Sequence, residues 1–250
     1  MRIIILGTLI LAGFAAQAAN NQSSMTVQGD RRCIQSNATP DHAIGQFPTR
    51  GNPNRFQAQS LTVCVDATPE LTGRTTTRVH TSGVTLTGIL LRPGTAEYYD
   101  PNGRHGFSRN RASGWRVEGM GADLGMDHAN AHVDHRGLYH YHAPAKIWTE
   151  AMPGSLIGYG ADGFEIHASA SAQSSWRLKS GHRPSGGLNP GGHYDGTYVE
   201  DYEFVAGSGN LDECNGAVVN GSYTYFATES FPFFPRCFKG TVSRDFTGRP

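Results

Sequence analysis

The sequence has no surplus of charge of either sign: twenty-one Lys and Arg balance twenty-one Asp and Glu over 250 residues. A protein that grips nucleic acid by counterion release needs a basic excess, so no nucleic-acid partner is expected. Charged residues are only 17% of the chain against 38% apolar ones, which excludes an acidic disordered chain and leaves enough material for a core. Helical periodicity is weak throughout, with Ala145 to Ala151 the best short candidate. Beyond the N-terminal segment no stretch approaches the roughly 20 apolar residues of a membrane-spanning helix. The G-x-S-x-G elbow, the H-E-x-x-H helix and the phosphate-cradling G-x-x-x-x-G-K are all missing, and their hydrolase, protease and nucleotide chemistries go with them. The four cysteines lack C-x-x-C spacing, which disfavours a thiolate zinc site.

What is present points to a mainly β protein. Thirty-two Gly and thirteen Pro punctuate short β-branched runs at Ser60 to Val65, Thr75 to Val79 and Val84 to Leu91. Leu156 to Phe164 reads as a strand entering an Asp-Gly turn. The expected architecture is a sandwich or partly closed barrel with two related β-hairpin repeats and few short helices. Residues 1–18 read as a signal peptide: a basic start, an apolar run from Ile3 to Phe14, and Ala16-Gln17-Ala18 at the cut. The remainder, 19–250, reads as one domain destined for the periplasm or secretion. Cys33, Cys64, Cys214 and Cys237 are then disulfide candidates with three possible pairings. Cys33–Cys64 and Cys214–Cys237 close the shorter loops, and each would staple one end of the molecule.

The informative feature is an internal repeat spanning 127–143 and 212–227. Asp127-His128-Ala129-Asn130 precedes Gly137-Leu138-Tyr139-His140-Tyr141-His142-Ala143, and Asp212-Glu213-Cys214-Asn215 precedes Gly221-Ser222-Tyr223-Thr224-Tyr225-Phe226-Ala227. Each copy reads as a hairpin, turning on His135-Arg136-Gly137 in the first and on Asn220-Gly221 in the second. In that register His132 faces His140 and Asn130 faces His142. Alternation sends the two tyrosines to one side of the strand and His140 and His142 to the other. Three imidazoles can therefore meet on one face, as a three-histidine zinc or copper site requires. The second copy keeps the tyrosines but has Ala217, Thr224 and Phe226 where the histidines stand. The Tyr pair thus reads as scaffold and the histidines as an addition to one copy. His128, beside the first turn, is a possible fourth ligand or a capping neighbour. Asp162 could serve as ligand or general base, or simply form its turn.

The chain resembles the YHYH-domain family through Tyr139-His140-Tyr141-His142 and a series around it. That series includes Pro40-Asp41-His42, Asn52-Pro53-Asn54, Asn130-Ala131-His132-Val133, Gly158-Tyr159 with Asp162-Gly163-Phe164, Leu211 to Gly216, and Phe231-Pro232 before Cys237. The resemblance runs from about His42 to Gly240 and implies an exported bacterial-type protein; His42 joins the candidate ligands. Two departures stand out. Glu165-Ile166-His167-Ala168 replaces the family's Pro-Ile-Tyr-Gly, which makes Glu165 a second candidate base. Tyr223-Thr224-Tyr225-Phe226 argues against a second histidine site. Two functions follow: a metal-dependent hydrolase or copper redox enzyme, or a noncatalytic module binding a small molecule or envelope glycan with structural histidines.

Overall fold

The structure, a computed structural model, describes residues 20–77, 80–150 and 154–247. The expected signal peptide and residues 78–79 of the Thr75 run lie outside them. Three strands open the fold: β1 (Ser23–Gln28), β2 (Arg31–Ser36) and β3 (Leu61–Asp66), paired antiparallel in that order. Cys33 sits directly opposite Cys64 in this register, and the two are bridged with Cα atoms 4.0 Å apart. The second bridge joins Cys214 to Cys237, so both shorter loops are the ones that close.

Next come β4 (Gly83–Thr85) and β5 (Leu90–Leu91), then a side sheet of β6 (Gly94–Tyr99), β7 (Phe107–Ser108) and β8 (Arg116–Glu118). The first repeat hairpin is β9 (Ala131–Val133) and β10 (Tyr139–Tyr141), followed by the short helix α1 (Lys146–Glu150). After β11 (Leu156–Gly160) and β12 (Glu165–Ala168) lie the minor strands β13 (Trp176–Leu178), β14 (Ser185–Gly186), β15 (Asn189–Pro190) and β16 (Tyr202–Phe204). The second repeat hairpin is β17 (Gly216–Val219) and β18 (Ser222–Ala227). Eight strands form one sheet curled into a half-barrel, ordered β17-β18-β12-β11-β4-β5-β10-β9. The mainly β class and the partly closed barrel are therefore what the chain forms.

That order reveals a larger repeat than the two hairpins. In one half, hairpin β4-β5 lays its second strand parallel to β10, which pairs antiparallel with β9. In the other, hairpin β11-β12 lays its second strand parallel to β18, which pairs antiparallel with β17. The halves meet through β4 and β11, antiparallel, with Gly83 opposite Gly160 and Gly158 opposite Thr85. A Cβ on Gly83 would fall 2.3 Å from the Tyr159 carbonyl, and one on Gly158 would fall 2.2 Å from the Val84 carbonyl. The seam thus needs the same absence of a side chain on both sides.

The run Val84 to Leu91, read as one strand, is two. Thr85 Oγ1 accepts the Ile89 N–H at 2.9 Å, and Gly88 takes φ 78°, so the chain turns back on itself. Gly163 occupies the same place in the β11-β12 turn with φ 93°. The core packs against the tyrosine side of the two halves: Ile89, Leu91, Ile166, Phe234 and Phe238 are buried with Tyr139, Tyr141 and Tyr225. Each such side chain contributes about 2 kcal/mol from burial alone.

Candidate metal centre

The first repeat begins with a turn held by its own side chains. Asp127 Oδ1 accepts the Ala129 N–H at 2.9 Å, while its Oδ2 accepts the Tyr139 hydroxyl at 2.8 Å and the Gly45 N–H at 2.9 Å. Asn130 takes φ 58° and donates through Nδ2 to the Pro144 carbonyl at 2.8 Å. The second copy repeats the pattern: Asp212 Oδ1 accepts Cys214 N–H at 2.9 Å, Oδ2 accepts the Tyr223 hydroxyl at 2.8 Å, and Asn215 takes φ 63°. The shared D-x-x-N and tyrosines are therefore a hairpin-building device. Each carboxylate spends its oxygens on the chain and offers no calcium loop.

In β9 and β10 the register is His132 opposite His140, with Tyr139 opposite Val133, and the His142 N–H donates to the Asn130 carbonyl at 2.8 Å. On the outer side of β9, the Val133 carbonyl accepts Nδ2 of both Asn52 and Asn54 at 2.9 Å. The Asn-Pro-Asn segment thus satisfies the free edge of the sheet beside the site.

The three rings converge. His142 Nε2 lies 3.0 Å from His140 Nε2 and 3.1 Å from His132 Nε2. Their opposite nitrogens settle the tautomers. His132 Nδ1 stands 2.9 Å from the Leu124 carbonyl and His140 Nδ1 3.2 Å from the Leu138 carbonyl. A carbonyl only accepts, so both rings carry the hydrogen on Nδ1 and present bare lone pairs at Nε2. A neutral His142 has at most one Nε2 hydrogen to share between two acceptors, leaving at least one pair of lone pairs face to face. A cation at the centre removes that conflict. Four-coordinate zinc bound at about 2.05 Å sets its nitrogens about 3.3 Å apart, close to the spacing seen. The residues fit a metal ion.

The electrostatics agree. Burial, reinforced by neighbouring imidazoles and by Arg92 or Arg236, drives His140 and His142 well below the ordinary histidine range. His132 is lowered chiefly by burial too, against the pull of the Leu124 carbonyl, Asp134 and Asp127. All three are neutral near pH 7, the state a metal ligand requires. His140 and His142 are buried, whereas His132 is partly exposed and forms the open side of the cluster.

The other candidates lie elsewhere. His42 donates from Nδ1 to the Ala43 carbonyl at 2.7 Å and accepts the Tyr141 hydroxyl at Nε2, 2.6 Å away. His128 packs edge-on to His42, ring centres 6.2 Å apart. Because Tyr141 points away from its histidine neighbours, both rings belong to the reverse face of β10, and the structure does not bring them to the triad. Asp162 is fully buried in the β11-β12 turn, accepting the Tyr225 hydroxyl and the Gly240 N–H at 2.8 Å each; burial raises its pKa. Glu165 is exposed and bonds His167 Nε2 at 2.7 Å. Strands β4 and β5 separate the β11-β12 turn of Asp162 from β10, and Glu165 on β12 lies beyond β11 as well, roughly 19 Å of sheet away. Neither carboxylate reaches the histidines.

Features that sequence reasoning missed sit against His142. A Cβ on Gly119 would fall 2.1 Å from His142 Nδ1, so only a bare α-carbon fits there. Beside it the buried Glu118 carboxylate forms a two-pronged pair with Arg236, at 2.8 and 2.7 Å. Nothing in Glu118-Gly119-Met120-Gly121 marks it as part of a site, since it meets the triad only through folding.

The chain matches the family described as YHYH protein over residues 62–240. No curated protein and no solved structure matches it.

Proposed function

This chain belongs to the YHYH protein family, and from its converging imidazoles we propose that it is an exported protein that holds a divalent metal ion, zinc or copper, at His132, His140 and His142. The observation that carries the reading is the bare nitrogen spacing. Two Nε2 lone pairs fixed by backbone carbonyls lie 3.0 and 3.1 Å from a third Nε2, a contact that a cation relieves. Two disulfides, with no free cysteine among the described residues, support an oxidising compartment. No described helix is long and apolar enough to cross a membrane.

A three-histidine zinc leaves one position for water and lowers its pKa, while copper in such a set supports one-electron chemistry. On the enzyme reading His132 is the side from which a substrate enters, being the partly exposed member. The acids that act electrostatically on it are Asp134 and Asp127 rather than Asp162 or Glu165. A second reading is favoured by the burial of the other two rings: a holding site in a noncatalytic module that binds a small molecule or envelope glycan.

Elemental analysis of untagged protein from its own export compartment tests the assignment. We expect close to one zinc or copper per chain, lost in His140→Ala and His142→Ala and kept in Tyr223→Phe. Equal metal content in all three variants, or none in the parent protein, overturns it.

A further inference from the structure

Resting on the metal reading, we infer that Arg236 is a positioning residue for the metal centre, clamping the two backbone segments that wall His142 and tying them to the Cys214–Cys237 bridge. His142 is the middle ligand, the one whose Nε2 approaches both others, yet its own Nδ1 has no well-formed hydrogen bond among the described residues. What holds the ring in place is packing. On one side is Gly119, close enough that any side chain would overlap Nδ1. The Pro93 carbonyl also stands against the ring.

Arg236 grips both walls. Its Nη2 donates at 2.8 Å to Oε1 of Glu118, the residue immediately before Gly119, and its Nη1 makes an ion-pair contact with Oε2 at 2.7 Å. Nη2 also donates to the Pro93 carbonyl at 3.2 Å. Nε donates to the Pro232 carbonyl at 3.2 Å, and the group stacks 4.5 Å above the Phe231 ring. Glu118 is wholly buried, so the pair is a fixed strut rather than a solvated surface contact. A planar fork fits this task where an ammonium does not.

The strut starts in the other half of the repeat. Arg236 precedes Cys237, whose partner Cys214 lies in the second D-x-x-N turn. Residues that lack a metal site of their own thus brace the half that has one. Partners that fix a ligand's orientation from behind typically control metal affinity by about 10- to 100-fold.

The test is zinc affinity of the full, oxidised chain, measured by competition with a chromophoric chelator. Cobalt(II) absorption serves as the geometric readout. Arg236→Gln and Glu118→Gln should weaken zinc about 10- to 100-fold and shift the cobalt bands. Arg236→Lys should weaken it too, and it keeps the inference testable if the Gln variant does not fold. Lys239→Gln, which loses contacts with Glu213, Asp212 and Thr75 but touches neither wall of His142, should stay within about twofold of the parent, below the range expected when a ligand loses its support. Cys214→Ser/Cys237→Ser should weaken binding, while Cys33→Ser/Cys64→Ser should not. A parent protein that fails to bind zinc or copper defeats the metal reading itself. A parent that binds tightly, with folded Arg236→Lys and Glu118→Gln variants binding equally well and showing unchanged cobalt spectra, overturns the role of Arg236 alone.

Discussion

Single residues divide here by which side of one strand they occupy. Tyr139, His140, Tyr141 and His142 are consecutive, yet the tyrosines anchor to Asp127 and His42 while the histidines meet His132. Tyr141→Phe should therefore cost about 1 kcal/mol, the worth of one buried hydrogen bond, and leave metal content unchanged. Denaturant titration with metal analysis would show this, and loss of metal in that variant would mean that the two faces are not independent. Gly119→Ala makes the opposite prediction. The added methyl, 2.1 Å from His142 Nδ1, forces either the ring or the 118–121 turn to move. Overpacking of this kind costs about 1–3 kcal/mol, so a modest fall in stability should accompany a large fall in zinc affinity. A variant with parental affinity would show that the turn yields without disturbing the ligand.

Among the elements, the two repeat hairpins separate building from binding. Asp127 and Asp212 make matching bonds to turn amides and to a tyrosine hydroxyl, so replacing either by Ala should cost about 2–3 kcal/mol from lost charge-assisted hydrogen bonds. Asp127→Ala should also lower metal content because its turn sets the register of His132. Asp212→Ala should destabilise by a similar amount and keep the metal. Identical metal content in both would show that the first hairpin holds its register without the carboxylate. Local signals made this much legible from sequence: Gly137 with φ 86° and Asn220-Gly221 with φ 51° and 86° are the turns their residue types demand, and turn length fixes which residues face each other. Partnerships without a local signal stayed hidden. Two-residue β5 pairs parallel with β10, contributing His140 opposite Leu90, and no periodicity marks so short a strand. Asp162, Glu165 and His42 stand at suggestive places in the chain, but strand order and side-chain alternation carry them away from the triad.

At the scale of the molecule, the half-barrel hides uncharged imidazoles, and that sets the sign of its pH dependence. Burial, with Arg92 and Arg116 nearby, holds His80 at about 4, and His132, His140 and His142 are all lowered from 6.5. Asp134 opposes this at His80 without overcoming it. In the unfolded chain these four rings take up protons near pH 6.5; in the fold they do so only at lower pH. Between those limits the unfolded chain binds more protons, so stability is full above about pH 6.5 and falls as the pH is lowered toward the folded values. A bound metal steepens the fall, since protons displace it while its affinity stabilises only the folded state. We expect metal-free protein to lose denaturant resistance between pH 7.5 and 5, and zinc-loaded protein to lose more over the same interval. His80→Asn should make the metal-free slope shallower without altering the zinc-dependent part, because His80 stands outside the three-ligand set. Metal-free stability that holds level or climbs on acidification would mean that the buried rings are already charged in the fold, and the site would then repel the cation proposed for it.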